Sequence, residues 1–204
     1  SCSRELSYQD KEILIDHQAA ISKSSPQYTT IILKKAKDLR IYPDKLGEIR
    51  HGNGSILGKI TTKQDIPNFF DKALKAELEN AGFKVQTRNQ TNGEPIPEDT
   101  LLIQQQILHV SAHPPKGMRE ITPIIQGDII VDLSIQKGPR NPGSVLLRGK
   151  ERVSTRHSSA DLEKEALEAA FAQYVSETVG HLLNTSKQIA QEQGSDKAQV
   201  SIKQ

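Results

Sequence analysis

Apolar and polar residues alternate most clearly in the segment that begins at residue 121. Odd-numbered positions there are apolar, and many even-numbered positions carry polar or acidic side chains. The apolar set is Ile121, Ile125, Ile129, Val131, Leu133 and Ile135, and the polar set is Gln126, Asp128, Asp132, Ser134 and Gln136. Because successive side chains of a strand point to opposite faces, this period of two predicts a β-strand with one buried and one wet face.

Other segments also have the composition of strands. β-Branched residues dominate 28–33, and shorter apolar patterns follow at 83–85 and 101–110. The turn-forming residues 138–143 connect the alternating segment to 145–154, which predicts an antiparallel hairpin. Glycine and proline residues between 43 and 58 predict a long loop after the first strand.

Two segments have the spacing of amphipathic helices. The first begins at the capping residue Asp65, has Pro67 in its first turn and stops at Gly82. The second has a start resembling a capping box, formed by Ser158 and Asp161. The apolar positions are Ile66, Phe70, Ala73, Leu74, Leu78 and Ala81 in the first helix, and Leu162, Ala166, Ala169, Ala170, Val175, Val179, Leu182 and Leu183 in the second. Each helix is therefore expected to pack one face against a sheet.

The order of these elements predicts an α+β domain, with a mainly antiparallel β-sheet packed on one side by two α-helices. We expect this domain to span residues 28–190. The polar residues 191–204 predict a flexible C-terminal tail.

Residues 1–27 are mostly polar and predict an N-terminal tether. About 25 extended residues reach roughly 80 Å. Ile13, Leu14, Ile15 and Ile21 interrupt this polar composition. They predict either a short amphipathic helix that docks on the domain or on a partner, or a weakly ordered apolar patch.

The single cysteine, Cys2, lies between two serines, where a processed bacterial lipoprotein carries its lipidated residue. The alternative interpretation is an incidental thiol. No apolar run approaches the roughly 18 residues that span a bilayer, so we expect membrane association through a lipid on Cys2 or through a partner. The 27 basic and 25 acidic residues are interleaved and leave a net charge of +2. Without a sustained cationic stripe, we expect no nucleic-acid binding.

Motifs for catalysis or metal binding are weak. The glycine-rich segment 52–58 lacks the spacing of a nucleotide-binding loop. His109 and His113 end a predicted strand, where four residues span about 13 Å, which is too far for one metal ion. Asp128 and Asp132 are equally far apart, beyond the separation of paired glycosidase carboxylates. We therefore expect no metal, no cofactor and no catalytic residues, and a protein that is not an enzyme.

Short motifs resemble those of YajG-like bacterial outer-membrane lipoproteins over roughly residues 29–190. In that family a first strand ends in an aspartate-x-arginine motif, whose positions Asp38 and Arg40 occupy here, and a helix leads to a strand with glycine and phenylalanine, as in 78–85. The residues that the resemblance marks as motif or interaction positions are Asp38, Arg40, Gly47, Arg50, Gly52 and Gly54. An ion pair within the domain is the alternative role of Asp38 and Arg40.

The resemblance also implies a location and partners. Ser3 is not the aspartate that favours retention at the inner membrane, so the outer membrane, on its periplasmic face, is expected. Lipoproteins of this type are similar to accessory subunits that brace envelope assemblies, including secretion-system outer-membrane complexes. We therefore expect a structural or accessory subunit whose partners are other envelope proteins. The second hypothesis is a periplasmic binding module for peptidoglycan or a small envelope ligand, using Arg40, Arg50 and the glycine loop.

Overall fold

A computed structural model describes residues 10–21, 30–50, 55–88, 96–113, 124–140, 142–154 and 161–201. These residues form eight strands and two helices, which confirms the α+β class. The strands are β1 (Lys11–Glu12), β2 (Thr30–Asp38), β3 (Lys45–Arg50), β4 (Ile56–Thr61), β5 (Lys84–Arg88), β6 (Thr100–His113), β7 (Ile124–Lys137) and β8 (Gly143–Ser154). The helices are α1 (Ile66–Asn80) and α2 (Leu162–Ser201).

All eight strands belong to one mixed sheet in the order β1-β4-β3-β6-β2-β5, with β7 on β6 and β8 on β7. Parallel pairings join β1 to β4, β2 to both β5 and β6, and β3 to β6. Antiparallel pairings join β3 to β4, β6 to β7 and β7 to β8. The prediction of a mainly antiparallel sheet is wrong, because β2 lies between two strands that run in its own direction, and α1 precedes β5 in the connection that crosses over.

The long loop predicted between residues 43 and 58 is also wrong, since β3 and β4 form an antiparallel pair there. A glycine in this segment allows β3 to lie very close to β6. A Cβ placed on Gly47 would lie 2.1 Å from the carbonyl oxygen of Ala112 in β6, so only glycine lets β3 come this near. By contrast, the hairpin predicted across residues 138–143 is confirmed by the β7–β8 pairing.

Both helices pack on the same face of the sheet and share one apolar core. As predicted, the side chain of Asp65 caps α1, and Gly82, at φ 97°, follows its end. The side chain of Asp161 accepts a hydrogen bond from the backbone three residues on and caps α2. The rings of Phe70 and Phe171 lie 4.7 Å apart, edge to face, and join the two helices.

Helix α2 lies directly on β7 and β8 because two glycines face it. A Cβ on Gly127 would lie 2.0 Å from the carbonyl oxygen of Ala166, and one on Gly149 would lie 1.8 Å from that of Ala170. The helix backbone therefore occupies the space of two missing side chains. The helix continues to Ser201, past the domain boundary predicted at residue 190.

Residues 10–21, named the strap here, dock on the domain in extended form. Strand β1 adds to the edge of β4 in parallel, and the buried side chains of Ile13 and Ile15 join the core, whereas Leu14 between them is exposed. This alternation has a period of two, which favours an extended chain over the short helix that the sequence also allowed. The other residues of the predicted tether, 1–9 and 22–27, lie outside the described residues.

The buried carboxylate of Glu77 on α1 holds the end of the strap. Its side chain is 1% exposed, and Oε1 accepts a hydrogen bond from Ala20 N at 2.8 Å while Oε2 accepts one from Ile21 N at 3.0 Å. His17 Nε2 lies 2.8 Å from Oε1. At the other end, Lys11 Nζ lies within 2.7 Å of carboxylates at the start of α2. The strap therefore spans from the sheet edge to both helices.

Candidate functional sites

Asp38 and Arg40 form a bidentate ion pair within the domain, which was one of the two roles expected for them. Arg40 Nε donates to Asp38 Oδ1 at 2.8 Å, and Nη2 donates to Oδ2 at 2.7 Å. Nη2 also donates to the carbonyl oxygen of Pro43 at 2.6 Å. The pair therefore closes the connection between β2 and β3, and we call residues 39–44 the clamp loop.

The charge of Asp38 depends on this pairing. Burial acts to raise the pKa of Asp38, but the hydrogen bonds and the positive charge of Arg40 together outweigh it, and the pKa lies below the ordinary value of 3.8. Both side chains are largely buried, so the clamp is a fixed element of the fold. Nε and Nη2 of Arg40 are thus engaged, whereas Nη1 is buried without a hydrogen-bond partner.

The clamp loop presents large apolar side chains to solvent. Ile41 is 86% exposed and Tyr42 is 64% exposed. Leu108, exposed where β6 is irregular, lines the same hollow of about 280 Å³ as these two residues. An apolar surface on a rigid turn is typical of a protein-binding site.

The other motif residues are only partly described. Gly47 makes the close approach of β3 to β6 and has a structural role. Arg50 ends β3, and its side chain lies outside the described part of the chain. Gly52, Gly54 and Cys2 also lie outside it, so their predicted roles remain predictions.

A polar groove of about 560 Å³ lies on the sheet face opposite the helices. It is built by side chains of neighbouring strands at matching register, for example Ser111 of β6, Asp128 of β7 and Lys150 of β8. The lining residues are Lys45, Gly47, Glu48, His109, Ser111, His113, Gln126, Asp128, Arg148, Lys150 and Arg152. Four basic and two acidic side chains leave an excess of two positive charges. We call this site the basic groove.

Two buried polar side chains form the floor of the basic groove. Gln126 accepts a hydrogen bond at Oε1 from Arg152 Nε at 3.2 Å. Asp128 is 9% exposed, and its Oδ1 is buried without a hydrogen-bond partner. Arg148 Nε lies 3.4 Å from this oxygen, which gives charge attraction but no hydrogen bond. The floor therefore holds a buried acceptor without a hydrogen-bond partner, next to the row of cations on β8.

One wall of the basic groove carries a chain of hydrogen bonds along β6. His109 Nε2 and Ser111 Oγ are 2.7 Å apart, and Ser111 Oγ lies 3.3 Å from His113 Nδ1. The sequence analysis rejected a metal site at the two histidines because of their spacing, and it missed their common face. The sequence did contain one signal for the basic groove. Arg148, Lys150 and Arg152 recur with a period of two, which places three cations on one face of β8.

The described residues contain neither a metal-binding cluster nor a membrane-spanning helix. No group of three or more histidine, cysteine, aspartate or glutamate side chains is arranged to hold a metal ion among them. Neither of the described helices is long and apolar enough to cross a bilayer.

Comparison with known proteins identifies the fold. No family model and no curated protein matches the sequence. A protein of Xanthomonas campestris from family DUF330 superposes with a TM-score of 0.56 at 12% identity, covering 87% of this chain and 99% of that one. A Helicobacter pylori protein named as a homologue of neuraminyllactose-binding hemagglutinin gives 0.49 at 11%, with 89% and 99% covered. A minor lipoprotein of Acinetobacter baumannii gives 0.37 at 10%, with 81% and 93% covered. At 12% identity, the likeness to the Xanthomonas campestris protein shows the fold alone.

Proposed function

We propose that the protein is a non-enzymatic, YajG-like lipoprotein of the bacterial outer membrane. In this proposal a lipid on Cys2 holds it at the periplasmic face, where it acts as an accessory subunit of an envelope assembly such as a secretion-system outer-membrane complex. The observation that carries the proposal is the clamp loop, which holds apolar side chains in solvent on a turn fixed by Asp38 and Arg40.

The clamp loop suits a protein partner for energetic reasons. Burial of a side chain such as Ile41 contributes about 1.5–3 kcal/mol, and Tyr42 adds an aromatic body with a hydroxyl that can form a hydrogen bond at the rim. The ion pair of Asp38 and Arg40 fixes the turn in the free protein. Because the loop is already ordered, little conformational entropy is lost when a partner binds.

The groove geometry supports a non-enzymatic role. Ser111 contacts His109, but among the described residues no carboxylate forms a hydrogen bond with that histidine. A nucleophilic serine normally needs a histidine oriented by a third group. We therefore assign Ser111 and His109 to binding rather than to catalysis.

Crosslinking in cells tests the clamp-loop interface. The full natural gene product, tagged, is crosslinked, extracted from outer membranes in detergent and identified with its partners. We expect a reproducible high-mass assembly for the wild type and its loss for Ile41→Asp. The matched control is Ile56→Asp, because Ile56 is 53% exposed in β4, near the end of the β3–β4 pair remote from the clamp loop.

Fractionation tests the anchor separately. We expect Cys2→Ala to move the protein from the membrane to the soluble fraction without changing its thermal unfolding. Retention of Cys2→Ala in the membrane would contradict the lipid anchor. Equal recovery of partners with Ile41→Asp and Ile56→Asp would contradict the clamp loop as the interface.

A second candidate function, a periplasmic binding module for peptidoglycan or a small envelope ligand, is favoured by one observation. The basic groove combines cations with a buried acceptor that lacks a hydrogen-bond partner. For this candidate we propose the basic groove, on the sheet face opposite the helices, as the site instead of Arg40, whose Nε and Nη2 bond to Asp38 and Pro43. Thermal stabilisation by cell-wall fragments, lost in a groove variant but kept in a clamp-loop variant, is the result expected for this candidate.

A further inference from the structure

We infer that the basic groove binds a small hydroxylated acid, of the class of acidic sugars and sugar phosphates. The inference specifies the ligand of the binding-module candidate, and it is independent of the clamp loop as a protein interface. Its basis is a row of three cations, of which Lys150 has no carboxylate partner among the described residues, beside a buried carboxylate oxygen that lacks a hydrogen-bond partner.

The cationic row on β8 supplies the site for an acid group. Arg148, Lys150 and Arg152 lie at every second position, so their side chains share one face, about 6.5 Å apart along the strand. Arg148 faces Asp128, and Arg152 binds Gln126 through Nε. Lys150 has no carboxylate partner among the described residues. A carboxylate or phosphate on the ligand would complete this local charge balance with charge-assisted hydrogen bonds.

The buried carboxylate of Asp128 selects for a donor on the same ligand. A buried acceptor without a hydrogen bond carries a desolvation cost, which a ligand hydroxyl would remove by displacing the exposed side chain of Arg148 from Oδ1. Inorganic phosphate suits this oxygen poorly, because its only hydroxyl groups lie on the charged phosphorus itself, whereas a sugar carries hydroxyl groups at a distance from its acid group. The floor therefore favours molecules that carry hydroxyl groups beside their acid group.

The remaining wall suits several hydroxyl groups. His109, Ser111, His113 and Gln126 form hydrogen bonds with one another, and their donor and acceptor roles follow tautomer and hydroxyl rotation, so ligand hydroxyl groups can exchange with these bonds. The volume of about 560 Å³ lies within the range of small-ligand sites. A polar lining of this kind fits a mono- or disaccharide better than a lipid or an apolar molecule.

Calorimetric titration of the full chain with four probes tests the inference. Glucuronic acid and glucose 6-phosphate carry both an acid group and hydroxyl groups, glucose lacks the acid group, and inorganic phosphate lacks carbon-bound hydroxyl groups. We expect one or both acidic sugars to bind at least about tenfold more tightly than glucose and inorganic phosphate. The preference between the two acidic sugars tells whether the natural ligand is a carboxylated or a phosphorylated sugar.

Three variants assign the binding to the groove. Lys150→Gln, at an exposed position, is expected to weaken acidic-sugar binding about tenfold. Lys72→Gln, which removes one exposed cation from a different groove beside α1, is the charge-matched control and is expected to leave binding unchanged. Asp128→Asn is expected to reduce the preference for glucose 6-phosphate over inorganic phosphate, which measures the role of the buried oxygen.

Several outcomes would overturn the inference. They are no binding of either acidic sugar, binding of inorganic phosphate as tight as that of glucose 6-phosphate, and equal losses for Lys150→Gln and Lys72→Gln. Either of the last two outcomes would show that the anions bind a general cationic surface and not a specific site in the groove. Thermal unfolding of each variant is measured alongside, so that a loss of binding is separated from a loss of folding.

Discussion

Substitution of Glu77 by glutamine is expected to loosen the strap while leaving the shape of the core unchanged. Both carboxylate oxygens of Glu77 accept hydrogen bonds from strap amides, those of Ala20 and Ile21, at 2.8 and 3.0 Å. Glutamine has the same size but only one carbonyl oxygen. Its amide nitrogen would therefore face a backbone N–H, donor against donor, in a site that is almost fully buried.

The expected cost follows from these contacts. A hydrogen bond to a charged group contributes about 1.5–3 kcal/mol, and a buried donor without a partner costs about 1–3 kcal/mol. One amide loses its acceptor and the other loses the charge of its acceptor, so we expect a loss of about 3 kcal/mol. This is roughly a hundredfold change in the docking equilibrium of the strap.

Amide hydrogen exchange measures that equilibrium directly. Protection of the amides of Ala20 and Ile21 should fall about a hundredfold in Glu77→Gln, and urea denaturation reports whether the rest of the domain unfolds with the strap. Glu79→Gln, on the same helix, is the control, since its carboxylate is partly exposed and lies 3.8 Å from Lys75 Nζ. We expect the control to change stability by less than about 0.5 kcal/mol. Protection of the two strap amides within twofold of the wild type would refute the reasoning.

Three further predictions concern the core and the clamp. Gly149→Ala should cost about 3 kcal/mol or more in urea denaturation, because the new Cβ would lie 1.8 Å from a carbonyl oxygen of α2, whereas Gly143→Ala, with nothing within 4 Å, should be nearly neutral. Tyr174→Phe should cost about 1–3 kcal/mol, since it removes the hydroxyl that donates to the buried Gln105 Oε1 at 2.6 Å; unchanged stability would contradict this. Asp38→Asn should cost about 2 kcal/mol near neutral pH. Because folding lowers the pKa of Asp38, its contribution is complete above pH 3.8 and disappears as the pH falls through the folded value, so a stability difference that stays constant below that pH would contradict the assignment.

The elements that the sequence predicted correctly are those marked by neighbouring residues, such as helix caps, alternating strands and tight turns. The caps at Asp65 and Gly82 delimit α1, and the alternation around Ile129 and Val131 gives the long strand β7. The turn residues after β7 predicted the hairpin to β8, because a short connection leaves antiparallel pairing as the simplest geometry.

Strand order depends on contacts far apart in sequence, and there the prediction failed. Strand β2 pairs with β5 and β6, some fifty and seventy residues on, and nothing in its own composition specifies parallel partners. Strands β3 and β4 were predicted as a loop because of their glycines. One of these glycines, Gly47, is in fact required for the close approach of β3 to β6. Propensity describes isolated segments, whereas these strands are stabilised by their neighbours.

The basic groove was missed for a related reason. Its floor and walls come from β6, β7 and β8, and residues such as Ser111, Asp128 and Lys150 meet only when the strand register is known. An irregularity between Ile107 and His109 shifts that register within β6. A shift of one residue reverses which side chains share a face, so sequence alone does not assemble the site.

Docking of the strap shortens the linker between the domain and an anchored Cys2. With residues 10–21 fixed on the domain, the length of chain from Cys2 to Asp10 limits the reach, and eight residues span roughly 28 Å at most. A free tether of 25 residues would reach about three times as far. Under the proposed lipidation, the domain is therefore held against the bilayer surface, and its partners must be sought within one domain's width of the membrane. A mechanical force on the lipid would also act first on the pairing of β1 with β4. The contacts of the strap would therefore break before those of the core.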